Sequence, residues 1–230
     1  MRHTHLTLLV GVLLALAGCS GLLHSNAPPE QTYYLRAPAV PAGSVATGAA
    51  VLPVSLRVAH PLADPGLDTS HIMLLQSDHR MSYYTGARWP APLPDLIASL
   101  TVQTLRASGN WASVEDSASP FPSDYLLQIT VRRFDAEYTG TAAAAPTVQV
   151  VFDCIVGRRE GREVLATFVA AGSAAATANR QGEVVSAFEQ AGATALAALT
   201  QQALEATRAD AARATQKAAA PAPSSSRQSQ

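Results

Sequence analysis

Two cysteines, six histidines and a scatter of carboxylates are what 230 residues offer for chemistry. His60, His71 and His79 stand eleven and eight residues apart, unlike a His-x-x-x-His pair on one helix, and no Cys joins them. Asp64 and Asp68 bracket Pro65-Gly66-Leu67 like part of a calcium loop, but one fragment supplies too few oxygens. Cys154 would be a nucleophile only with a His and oxyanion donors converging on it. It lies instead in the alternating row Val148, Val150, Phe152, Cys154, Val156, which reads as core. Asp135 and Glu137 sit two apart at a strand end and read as solvent-facing rather than as an acid–base pair. No Gly-x-Ser-x-Gly elbow, P-loop or Gly-x-Gly-x-x-Gly fingerprint occurs. These residues predict no catalytic set, no metal and no cofactor.

Cys19 has a different setting. A short polar start with Arg2 leads into the apolar run Leu6 to Ala17. That run suits the h-region of a signal peptide and is too short to cross a bilayer of ~30 Å as a helix. It ends in Leu16-Ala17-Gly18-Cys19. This resembles the bacterial lipobox of a branched apolar residue, a small residue, Gly or Ala, then Cys, at all four positions. The resemblance implies cleavage between Gly18 and Cys19, with diacylglycerol and an N-linked acyl chain such as palmitate on Cys19. Each buried methylene of such chains contributes about 0.8 kcal/mol, so several chains hold firmly. Ser20 comes next, and by resemblance to lipoprotein sorting this implies the periplasmic face of the outer membrane of a Gram-negative bacterium.

The elements behind the anchor are legible from periodicity. Residues 1–18 read as the signal, and 19–50 as a largely flexible spacer with a short strand near 32–36. Residues 51–208 read as one domain, and 209–230 as a disordered Ala/Pro/Ser/Gln-rich tail. Leu52, Val54, Leu56 and Val58 alternate as one strand face. His71–Gln76 and Met81–Thr85 read as a hairpin, then a helix entered at Pro92-Leu93-Pro94-Asp95 and stopped at Gly109. Trp111 to Glu115 is a brief strand; Tyr125–Tyr138, Thr147–Val156 and Val164–Ala174 are further strands, with Leu127, Ile129 and Val131 facing inward. A second helix from Gly182 to about Arg208 carries the stripe Val185, Phe188, Gly192, Ala195, Leu196, Leu199, Ala203. The expected class is α+β, a mainly antiparallel sheet with two longer helices packed on one face. A net charge of −1 gives no basis for nucleic-acid binding.

Several stretches carry a family likeness. They are Pro65-Gly66-Leu67-Asp68-Thr69, Met81-Ser82-Tyr83-Tyr84, Gly86 to Pro94 with its Arg88-Trp89, Phe134 to Tyr138 and Val184 to Phe188. In that order the sequence resembles the ABC-type transport auxiliary lipoproteins, the PqiC-like family. The resemblance implies a non-enzymatic lipoprotein that accompanies an MCE-domain protein with its ABC permease and ATPase. Such systems move lipids or other hydrophobic molecules across the envelope. Tyr83, Tyr84, Arg88 and Trp89 are the candidate partner-binding residues, and self-association into a homo-oligomer stays open. The alternative is a lipoprotein that regulates an envelope enzyme such as a peptidoglycan synthase; a third reading is a hydrolase with a dispersed site.

Overall fold

The computed structural model describes residues 30–38, 51–140 and 144–219; the signal, Cys19 and most of the spacer and of the Ala/Pro/Ser tail lie outside these. Contacts divide the chain into Met1–Glu30 and Gln31–Gln230, and every described strand and helix belongs to the second unit.

The sheet is built around β7 (Tyr125–Glu137), a 13-residue strand whose Leu127, Ile129 and Val131 are fully buried. On one side β7 pairs antiparallel with β8 (Thr147–Arg158), and β8 pairs antiparallel with β9 (Glu163–Ala175). On the other side three short strands share its length, all parallel to it. These are β2 (Leu52–Val58) beside Tyr125, β3 (Leu62–Ala63) beside Thr130 and β4 (His71–Leu75) beside Asp135. β5 (Met81–Arg88) folds back antiparallel on β4, β1 (Gln31–Thr32) adds parallel to β5, and β6 (Trp111–Glu115) adds parallel to β2. Strands joined by short turns thus pair antiparallel as expected. The parallel pairs join strands whose connections return through other elements, which local patterns do not reveal.

Alternation along β7 does not run unbroken. A register shift between Val131 and Arg133 turns the subsequent residues over, so Phe134 and Ala136 join the core with Val131. A one-residue bulge moves every later side chain to the other face, which is why Arg133 faces out, where unbroken alternation puts it inward.

Both helices lie on one face of this sheet. α1 (Leu93–Ser108) has Pro94 in its first turn and ends at Gly109 in the left-handed region at φ 63°; Leu93, Leu96, Ile97, Leu100 and Leu105 are buried. α2 (Gln181–Ala219) buries Val184, Ala187, Phe188, Ala191, Ala195, Leu196, Leu199 and Ala203. Val184, rather than Val185, starts the stripe. The small residues have a purpose: a Cβ on Gly172 of β9 would stand 2.0 Å from the Ala191 carbonyl oxygen. Helix and strand backbones meet there because neither side presents a bulky group. Trp89 stands edge-on to Phe134 and Phe188, at 6.0 and 5.3 Å between ring centroids, and closes the core between sheet and helices.

α2 runs on to Ala219, past the end expected at Arg208, so residues 209–219 are helix and not part of an unstructured tail. Two buried polar residues, one just before Arg208 and one just after it, hold the helix to the sheet here. Thr207 accepts the Trp111 indole N–H at 3.1 Å, and Asp210, 1% exposed, accepts from Tyr125, Arg158 and Arg213.

Candidate functional site

The face without helices carries a cluster of partly exposed aromatic and thioether side chains. The β4–β5 register sets Met73 opposite Tyr83 and Leu75 opposite Met81, and the β4–β7 register sets Met73 and Leu75 beside Asp135 and Glu137. The His71 ring stacks on Tyr83 at 4.3 Å with 20° between planes. Met81 and Tyr83 are each 50% exposed. Large apolar side chains half open to water, ordered by a strand pair and an aromatic stack, form a surface suited to docking.

Beside this patch runs a band of paired charge. Arg133 donates to Asp135 Oδ1 at 2.8 Å and to Glu137 Oε2 at 3.0 Å; Arg132 donates to Asp64 Oδ1 at 2.8 Å and Asp153 Oδ2 at 2.7 Å. The Asp135 hydrogen bond, set against partial burial, holds the Arg133 pKa above its ordinary value. Asp135 and Glu137 are therefore partners of one guanidinium rather than solvent-facing carboxylates, and Asp135 is 4% exposed. Asp64 is likewise tied to Arg132, while Asp68 is exposed.

The four candidate partner-binding residues are not together on this face. Tyr83 is on it. Tyr84 turns toward α2, where its hydroxyl lies 2.7 Å from that of Tyr138, which donates to Asn179 at 2.7 Å; burial first, then the Tyr138 contact, pushes the Tyr84 pKa up. Arg88 ends β5, half-buried, where its carbonyl accepts the Tyr33 N–H at 2.8 Å. Trp89, 1% exposed, is core. His71, Met73 and Met81 complete the patch instead. Alternation within each strand signals them, but joining the two rows requires the hairpin register.

The other chemistry-bearing residues are scattered. His60 is 3.8 Å from Asp95 on the surface, and His79 occupies the β4–β5 turn at φ 63°. Cys154 is fully buried, and burial pushes its thiol pKa up to about 12. Among the described residues no group of three or more His, Cys, Asp or Glu is arranged to hold a metal ion. None of their helices is long and apolar enough to cross a membrane. The Tyr125–Arg158–Arg213–Asp210 network was not visible in the sequence, because it depends on the helix beyond Arg208. There, the Arg158 hydrogen bond keeps the Asp210 carboxyl below the usual 3.8, and burial, then the Asp210 contact, pushes Tyr125 up to about 12.

No curated protein matches this chain. Its fold is similar to the crystal structure of a Xanthomonas campestris protein of the DUF330 family model. That likeness has TM-score 0.66 at 23% identity, over 82% of this chain and 99% of that one. A second crystal structure, of an uncharacterized protein, is similar with TM-score 0.57 at 16% identity, over 76% of this chain and 99% of the other. Both are likenesses of fold. The family model described as the ABC-type transport auxiliary lipoprotein component matches residues 33–212, from the segment docked beside Arg88 through buried Asp210, and the chain belongs to that family.

Proposed function

We propose that this chain is an outer-membrane lipoprotein that docks an ABC/MCE-type transport assembly at the periplasmic face of that membrane. It would do so without enzymatic chemistry of its own. The observation that carries the reading is the lipobox at Leu16–Cys19 ahead of a family match over residues 33–212. Cys19 would carry the acyl chains. Gln31, the first residue of β1, comes twelve residues later. Fully extended at ~3.3–3.6 Å per residue, that tether reaches about 40 Å at most, so the domain works close to the membrane.

The His71–Tyr83 stack with Met73 and Met81 would supply the contact with the MCE-domain partner. It offers aromatic and thioether groups on a sheet that α1 and α2 support from behind. Cargo would then pass between partners that this subunit holds in place.

Replacing the signal with an ordinary cleavable one, together with Cys19→Ala, tests the reading. The exported, unlipidated protein should reach wild-type abundance in the periplasm yet leave a deletion strain as sensitive to envelope stress as before. Full restoration by that protein sinks the anchored-adaptor reading.

A further inference from the structure

The outer strands of the sheet are unequal. β1 and β6 have two and five residues, whereas β9 has 13 and, among the described residues, pairs with β8 alone. Edges that must stay solitary are usually short, proline-bearing or studded with Lys. Glu163–Ala175 contains neither Lys nor Pro, and its single charge is Glu163 at one end. Val164 and Val169 are 62% and 58% exposed. Gln202 of α2 reaches the Val169 carbonyl at 3.4 Å, a long contact that an incoming N–H could replace.

At the Glu163 end a groove of about 510 Å³ opens onto the sheet face, floored by Leu126, Ile155 and Val164 and walled by Arg158, Arg159 and Arg162. Glu163 also lines it and answers Arg158 at 3.5 Å, while Asp210 holds Arg158 from below. Arg159 and Arg162 are both exposed, and the Arg159 guanidinium donates a long hydrogen bond to Ser123 Oγ, at 3.4 Å. Glu160, in the same turn, does not line the groove. Two guanidiniums are thus placed to face an incoming anion.

We infer that β9 accepts an extended peptide strand with an acidic C-terminal end, running antiparallel to it. The direction is set by the charge. An antiparallel strand brings its C-terminal end to Glu163 and the arginine groove, whereas a parallel strand would bring a cationic amine there. Backbone hydrogen bonds along β9 hold the strand, and Arg159 and Arg162 set its polarity. The inference rests on the proposed docking role and adds to the His71–Tyr83 patch a second contact, at β9, with the chemistry of the segment it takes.

The test uses the full lipidated chain in detergent micelles and a fluorescent twelve-residue Val/Thr-alternating peptide ending Asp-Asp with a free carboxylate. Anisotropy should show saturable binding that weakens with salt, and amide exchange should slow within 163–175. The Arg159→Glu/Arg162→Glu pair, both exposed and outside the core, should cut affinity by about tenfold or more; a Lys-Lys amide peptide should recover it on that variant. Absence of binding, unchanged affinity in the double variant, or protection at Met81–Tyr83 in place of β9 overturns the inference. So does a concentration-dependent dimer that protects 163–175 without peptide, since the edge would then belong to a second copy. Copurification with a permease and ATPase alongside a failed peptide assay would leave the docking role standing and remove this inference.

Discussion

Asp210 accepts four hydrogen bonds: from Tyr125 at 3.0 Å, from Arg158 Nε at 2.9 Å, from Arg158 Nη2, and from Arg213 at 3.2 Å. Removing its charge leaves Arg158 without its main partner. Fully buried pairs lose about 3–5 kcal/mol in this way, but the Arg158 side chain is 36% exposed and partly rehydrates, so Asp210→Asn should cost about 2 kcal/mol. The depressed carboxyl fixes the sign of the pH dependence. The contribution is present above the ordinary value of 3.8 and is lost as pH falls through the lower folded value. Urea midpoints of wild type and Asp210→Asn should therefore differ at pH 7 and converge in acid; a gap that widens in acid contradicts the assignment. Cys154 gives a second residue-scale expectation. A buried thiol raised to about 12 holds almost no thiolate, so a maleimide at pH 7 should label it in urea and spare it in the native protein. Rapid native labelling would mean that the β7–β8–β9 core is open. That burial was legible in the apolar row of β8, whereas Asp210 was not, since a lone Asp among alanines gives no sign of the Arg158 and Tyr125 that await it.

At the scale of elements, the contact between α2 and β9 decides how the fold closes. Gly172→Ala places a methyl against the Ala191 backbone, and neither a strand interior nor a helix carbonyl can yield as a flexible side chain would. We expect a loss of about 3 kcal/mol by chemical denaturation, and a near-neutral substitution would show that the helix can shift at little cost. Local patterns place α1 and the longer strands to within about three residues, because hydrophobic alternation, a proline entry and a glycine exit act within a few positions. The strand expected near 32–36 is only Gln31–Thr32, and the two-residue β3 carries no periodicity to read. Local patterns also missed the bulge at Arg132 and the last helical turns. Both are imposed from across the fold, by the β8 register and by Tyr125, Arg158 and Trp111. The Ala-Ala-Gly-Ser-Ala run at the end of β9 has little β-propensity, and Gly172 within it makes room for the backbone of α2.

At the scale of the whole molecule, residues 31–36 are joined to the sheet and to α2. β1 pairs with Ala87 and Arg88, Leu35 is 2% exposed, and the Arg36 N–H reaches Glu189 at 3.2 Å. Residues 31–36, expected to belong to the spacer, are thus part of the domain. Of the four sequence candidates, Tyr83 and Arg88, which the hairpin register sets opposite His71, belong to the face without helices, whereas Tyr84 and Trp89 do not, because a strand sends adjacent residues to opposite sides. Tyr83→Ala with Met81→Ser should leave the domain folded, at a loss of about 1–2 kcal/mol for the His71 stack and the cross-strand contacts, while weakening partner capture. Equal capture by wild type and variant would move the docking surface elsewhere. The most direct measurement is mild-detergent copurification of the tagged, lipidated protein from its own membranes, with mass spectrometry of the proteins that accompany it. Enrichment of an MCE-domain protein with an ABC permease and ATPase is the predicted result; enrichment of a cell-wall enzyme without them would contradict the docking role and favour a regulator.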